Sequence, residues 1–315
     1  MGVWGSMRVA AFAGAMLATA VATTGVSAQT APPADPGTAA DPIVVEGRAP
    51  PDEVKIRALA RAISPRVGFD QPLARFTDPV CFATAGLPLP MLRTIGARLA
   101  ENADAAGIAL AGEGCTPNIL VMVVEDSRAE AERLMSRRPW MFRDYQPSEM
   151  REILKEPGPV HVWSVSEVRS RDGDRLFQSI DGPPTLQVPI ATRIALAIRR
   201  DMLSTVMLID RKAVPGRSLQ QIADYAAMRT LAMIRPKGAT GGDTILTLFD
   251  PAAAPPTEMT AFDRGYLKAL YDGSGTQRGA TKVAMIARSI VKAADADRAD
   301  APAGKPADGK GAGGK

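Results

Sequence analysis

The chain has 315 residues, 46% of them hydrophobic and 23% charged, the balance of an ordinary globular protein. Its formal net charge of +4 includes Arg8 near the N-terminus and Lys305, Lys310 and Lys315 near the C-terminus. What remains is mildly basic without a dense basic run. Nucleic-acid binding calls for clustered positive charge and stacking aromatics, and with aromatics at 5% the composition argues against it.

Residues 1–28 read as a signal peptide. Arg8 supplies the positive start, Val9 to Val21 an apolar run too short for a membrane span, and Val26-Ser27-Ala28 a small-residue cleavage site before Gln29. The mature chain is expected in an oxidising compartment, periplasmic or secreted. Gln29 to Pro51 is rich in Pro, Ala, Asp and Gly and reads as part of a disordered linker over 29–54. Inside it, Asp41 to Gly47 (DPIVVEG) resembles the TonB box of outer-membrane transporters. That resemblance implies strand addition of Ile43-Val44-Val45 to a partner's sheet, against which stands a short strand docking on its own domain or a remnant of the leader.

A single α/β or α+β domain is expected over 55–292: a mixed sheet with packed helices and one disulfide. Pro79 to Ala83 is a strand candidate, and Pro90 opens a helix with Leu92, Ile95, Leu99, Ala103 and Ala106 at helical spacing, stopped by Gly107. Asn118 to Val124 is nearly all apolar, as in a strand buried on both faces. Ser127 and Glu130 suggest a capping box for a helix to Arg137, and Ser148 starts another to Lys155. Val160 to Val168 is a strand, turned by Arg171 to Asp174 into a hairpin with Arg175 to Ile180.

The run from Ile190 to Ile209 looks membrane-like, but Arg193, Arg199, Arg200 and Asp201 interrupt it. It reads instead as a buried helix to Arg200 and a strand from Thr205 to Asp210. Ser218 and Gln221 form a capping box for a central helix that places Leu219, Ile222, Ala223, Ala226, Met233 and Ile234 on one face, with Met228 and Leu231 as a second patch. Thr260 opens a helix carrying Phe262, Tyr266 and Leu270. The last helix shows Val283, Ile286, Ala287, Ile290 and Val291. A disordered tail is expected over 293–315, rich in Ala, Gly, Lys and Pro from Ala299.

Cys81 and Cys115 are the only cysteines, and in an exported chain they invite one disulfide. If the strands at 79–83 and 118–124 are adjacent, parallel and joined by the 90–106 helix, both cysteines fall at the same end of one sheet. A Cα separation near 5.5 Å is then plausible.

His161 is the only histidine, which rules out zinc sites that need two or three. It alternates with Val160 and Val162 and so faces the opposite side of its strand, as a partly exposed or hydrogen-bonded sheet residue. Gly238 to Gly242 lacks the lysine and context of a phosphate loop. Asp172, Asp174, Asp243 and Asp272 are turn residues beside glycines, without a calcium loop's ligand spacing. No catalytic, metal or cofactor-binding residue is assigned. Asp224, Tyr225 and Asp263 are weak candidates for carboxylate chemistry, Asp263 reading better as a capping residue below Thr260 and Tyr225 as a helix–helix contact.

Residues 79–88 (PVCFATAGLP), 114–124 (GCTPNILVMVV), 222–228 (IADYAAM), 243–249 (DTILTLF) and 267–271 (LKALY) resemble landmarks of an uncharacterised family of exported Gram-negative bacterial proteins. The resemblance implies an exported domain without an assigned activity. The second half is also similar to exported proteins of zinc-peptidase-like fold, in which a central helix carries HExxH or HExxQ. Here Ala223 to Met228 stands at that place without ligands or base, which implies a metal-free relic. The leading expectation is a non-catalytic envelope binding or assembly protein with an envelope protein as partner; the alternative is a carboxylate-dependent hydrolase.

Overall fold

The computed structural model describes residues 52–142, 145–177, 182, 185–186, 195–239 and 243–299. The signal peptide, the Ile43–Val45 segment, residues 190–194 of the apolar run, most of the Gly238–Gly242 turn and the tail beyond 299 lie outside them.

The chain begins with α1 (Glu53–Ile63), whose first turn is capped by the Asp52 carboxylate accepting from Val54 N and Lys55 N. The helix therefore takes in the last two residues of the expected linker. β1 (Phe82–Ala85) leads into α2 (Leu89–Ala105), where Pro90 lies in the first turn and Ile95, Leu99 and Ala103 are buried. Gly107 follows at φ +78, a left-handed residue past the helix end. β2 (Ile119–Val124) alternates between buried and half-buried positions. Its odd residues enter one core cluster and its even residues pack on the other. Both faces are covered, as its unbroken apolar sequence requires.

α3 (Ser127–Arg137) corrects one expected cap. Asp126, one residue earlier, is the N-cap and accepts from Ala129 N, which leaves the Ser127 hydroxyl for another use. After α4 (Pro147–Leu154), β3 (Val160–Ser170) pairs antiparallel with β4 (Ile198–Asp210) along its whole length. Of the expected hairpin partner at 175–180, residues 178–180 lie outside the described residues; Arg175 makes an isolated bridge to Arg169, and Phe177 bridges to Thr185. Residues 198–200 are strand, not the end of a helix: this stretch hydrogen-bonds across to β3, and tertiary pairing overrides the apolar run's ambiguous local pattern. No helix among the described residues is long and apolar enough to cross a membrane.

The sheet has the order β1-β2-β4-β3, with β1, β2 and β4 parallel and β3 antiparallel at one edge. This is the expected mixed α/β architecture. α5 (Leu219–Leu231) opens on the expected Ser218/Gln221 capping box and is buried from Ile222 to Leu231. Met233 and Ile234 fall beyond its end, Met233 at φ 50, so the expected helical face is shorter than its apolar spacing suggested. α6 (Ala261–Tyr271) opens on a Thr260/Asp263 box. α7 (Gly279–Ala299) continues past residue 293, where a tail was expected; Ala293, Ala294, Ala296 and Ala299 are strong helix formers.

Helices α1, α2, α5, α6 and α7 contribute to the core on one face of the sheet, and α3 and α4 to the smaller core on the other. Gly86, just after β1, sits at φ +91, and a Cβ there would lie 1.9 Å from the Val123 carbonyl oxygen. Only glycine fits this close approach of β1 to β2. At the opposite end of these strands Cys81 and Cys115 form the expected disulfide, with Cα atoms 6.2 Å apart. Asn118 holds the same corner: its Oδ1 accepts from Cys81 N at 2.8 Å and its Nδ2 donates to the Pro79 carbonyl at 3.0 Å.

The outer edge of β3 is closed at its centre. The Tyr145 hydroxyl donates to the Ser164 carbonyl at 2.7 Å and accepts from Ser164 N at 2.8 Å. Just beyond, the register breaks: Val165 faces Ser204 but Ser166 faces Met202, so Leu203 is an extra residue in β4. β2 pairs with β4 only from Thr205 onward. Past the bulge the two long strands therefore continue as a ribbon, joined by Arg75, which bridges to Asp201.

Candidate functional site

The three residues weighed for carboxylate chemistry are all buried, with exposures of 0% for Asp224, 2% for Tyr225 and 0% for Asp263. Asp224 projects from α5 toward α2. Its Oδ1 accepts from Arg98 Nε and Asn102 Nδ2, each at 2.7 Å, and its Oδ2 accepts from Arg98 at 3.2 Å and from Met259 N at 2.7 Å. The hydrogen bond to Asp224 is the main reason the Arg98 guanidinium is held above its usual range. This carboxylate clamps α2, α5 and the start of the α6 segment together.

Asp263 works one residue further along. Its carboxylate accepts from Thr244 Oγ1 at 2.6 Å, Ile245 N at 2.8 Å and Thr260 N at 2.9 Å. Burial raises its pKa against the pull of these donors. The capping reading of Asp263 thus holds, and it extends to the loop before α6. The two carboxylates take the consecutive backbone N–H groups of Met259 and Thr260.

Tyr225 packs edge-on against Phe249 and accepts at its hydroxyl from Arg229 NH1 at 2.7 Å. Arg229, also on α5, heads the largest fully buried side chains and forms a 2.7 Å ion pair with Glu156 from the loop before β3. Burial works against the guanidinium charge, but Tyr225 and Glu156 hold its pKa above the ordinary value, and burial likewise raises the Tyr225 phenol. On the neighbouring α6, Tyr266 shares a 2.7 Å hydrogen bond with Ser64 Oγ, and burial pushes its phenol up to about 12. The Tyr266–Ser64 bond joins α6 to the end of α1, whereas Tyr225, expected in a helix–helix contact, meets Arg229 of its own helix and Phe249 of a loop.

His161 is on the α3/α4 side of the sheet, opposite Val160, as alternation predicts. It is 3% exposed, so of the two expectations the hydrogen-bonded one holds. Its Nδ1 lies 2.8 Å from Ser127 Oγ, which also reaches the Pro159 carbonyl at 3.2 Å, while Nε2 is buried without a hydrogen bond of good geometry. Ser127 N donates to Asp210 Oδ1 at 2.6 Å. Serine, histidine and aspartate meet here, but Ser127 is 1% exposed and its hydroxyl bonds hold α3 to the start of β3. No local pattern announces this meeting, since its members are 34 and 83 residues apart. Arg229, by contrast, is visible as a charge in the last turn of α5 beside the apolar Ala226, Ala227, Met228 and Leu231.

Burial is the largest cause holding the His161 pKa below its ordinary value, with Glu156 and Asp210 opposing it. In the unfolded chain the imidazole takes up a proton near pH 6.5, whereas in the fold it stays neutral to lower pH. The unfolded state therefore binds more protons between those two values. Stability is expected to fall as pH drops below about 6.5, by at most about 1.4 kcal/mol per pH unit from this group. Urea midpoints between pH 8 and 5 check this. His161→Gln should remove that part of the slope, and an unchanged slope in the variant would assign it to other groups.

The turn aspartates have structural partners as well. Asp174 accepts from Ser170 Oγ at 2.9 Å, Asp172 lies 3.6 Å from Arg171, and Asp272 is the C-cap of α6. Asp243 accepts through its backbone carbonyl from Thr260 Oγ1. Among the described residues, no group of three or more His, Cys, Asp and Glu side chains is placed to hold a metal ion. No family model, curated protein or solved structure matches this chain. Fold and site together define a disulfide-stapled α/β domain whose buried polar side chains tie its helices to one another and to its sheet.

Proposed function

We propose that this chain is an exported, non-catalytic protein of the bacterial envelope, acting by binding or assembly. The observation that carries this reading is the use made of its chemistry-bearing side chains. Asp224, Tyr225, Asp263 and His161 are each buried and committed to contacts that hold elements together. The leader-like first 28 residues and the Cys81–Cys115 bridge support a periplasmic or secreted address. The resemblance of residues 79–88 and 114–124 to exported Gram-negative proteins supports it as well.

Two experiments test this reading. Purified protein in a broad hydrolase screen should show no turnover, and turnover lost on substitution of a single polar residue would overturn the proposal. Affinity capture from a bacterial envelope should return a stoichiometric protein partner. Deleting residues 41–47 then decides whether Ile43–Val45 makes that contact by strand addition, since an unchanged set of partners removes the segment from the account.

The order of β4, a central buried α5 and α6 ending in Leu270-Tyr271 favours a second reading of ancestry, the metal-free relic of a zinc-peptidase-like fold. Under it the chain still binds rather than hydrolyses, because Ala223 to Met228 supplies neither metal ligands nor a base.

A further inference from the structure

The ribbon beyond the Leu203 bulge carries an arrangement that neither its fold nor the proposed role explains. Arg169 of β3 stands directly opposite Arg199 of β4, and Arg175 bridges to Arg169 from the other side. Side chains of directly paired residues share a face, so three guanidiniums form a row across three neighbouring backbones. At strand spacings of about 5 Å the row spans about 10 Å.

Like charges directly opposite one another are destabilising. Two carboxylates, Glu167 and Asp201, which also face each other, stand two residues along on the same strands. Glu167 reaches Arg169 at 3.0 Å and Arg175 at 3.6 Å; Asp201 reaches Arg199 at 3.0 Å and Arg169 at 3.6 Å. Both carboxylates flank one side of the row, and among the described residues its three guanidiniums outnumber these two carboxylates. Arg199 Nη2 donates to Asp201 at 3.0 Å, while its buried Nε lacks hydrogen-bond geometry, a further cost. Arg175 at one end of the row is 71% exposed, Arg169 in the middle 12% and Arg199 at the other end 20%.

Pairing with Glu167 and Asp201 offsets part of this cost, yet swapping Arg199 and Asp201 would set opposite charges face to face. Local rules broken at a cost mark functional positions. We propose that Arg175, Arg169 and Arg199 bind a phosphoryl oxyanion, whose several oxygens match adjacent guanidinium forks. The site rests on the reading of this chain as a binding protein and names the chemistry of a ligand; it does not depend on the export address.

Titration of the full chain with inorganic phosphate, followed by calorimetry and by the shift in unfolding temperature, tests it. Saturable binding is expected, weakening as salt rises. Arg175→Gln, at an exposed position that leaves folding intact, should weaken phosphate about five- to tenfold. Glu167→Gln should tighten it about threefold, because a competing carboxylate is removed; a purely structural network would respond only with lower stability. Absence of saturable phosphate binding by the native chain, or equal affinity in both variants, overturns the site. Sedimentation with vesicles of phosphatidylglycerol but not phosphatidylcholine, competed by phosphate, assigns the phosphoryl group to a lipid headgroup. Phosphate binding without sedimentation assigns it to a soluble ligand. A phosphate-silent chain leaves the envelope reading standing, since hydrolase screening and partner capture decide that separately.

Discussion

Replacing Asp224 by alanine is expected to lower the unfolding free energy by about 3–5 kcal/mol, the range for breaking a buried, hydrogen-bonded charge pair from one side. Arg98 keeps Glu101 at 3.4 Å and Glu258 at 3.5 Å as partners, so its share of the loss is partial. The larger share falls on Asn102 Nδ2 and Met259 N, buried donors left without an acceptor. Urea unfolding at neutral pH reads the effect as a lower midpoint at an unchanged slope. Asp224→Asn should cost less, since it keeps the side-chain volume and one acceptor. A loss below about 1 kcal/mol in the alanine variant would contradict the clamp role, because a single lost hydrogen bond already costs that much.

Removing the disulfide by Cys81→Ala with Cys115→Ala is the second large effect. The bridge closes a separation of 34 residues, and the chain-entropy relation for such a loop gives about 3–4 kcal/mol. Both ends lie at the start of adjacent parallel strands, where Asn118 already links Cys81 to Pro79. A measured loss near the full value means the staple acts chiefly on the unfolded chain. A loss below about 1 kcal/mol would mean that Asn118 and the β1–β2 ladder hold the corner without it, and that the entropic account fails here.

The parts legible in the sequence are those whose physics is local. Ser218 with Gln221, and Thr260 with Asp263, are capping pairs three residues apart, and both boxes form. The disulfide was readable because one strand–helix–strand unit contains both cysteines and the helix that joins their strands. Asp126 and Ser127 show the limit of local reading. Either residue suits an N-cap, and the choice is made by His161 and Pro159, which engage the serine from another strand. Residues 198–202, expected as helix end and connection, escape local reading for a related reason: they pair with β3 across an intervening stretch that carries no sign of the register. Asp224 is farther out of reach, since its partners Arg98 and Asn102 are 126 and 122 residues away. Its acidity inside an apolar helix face was visible, but what it binds was not.

The Tyr145 hydroxyl bears on how copies of this chain behave when crowded together. An edge strand offers a row of unmet amide groups on which another chain can lay its own backbone. In β3 the middle of that row is spoken for by a side chain that both gives and takes at Ser164, and the far end is met by Arg175. An incoming strand would have to dislodge this half-buried phenol before it could register along the full edge. Along β3, therefore, the edge is blocked at its centre and its far end rather than open as a template for a second copy.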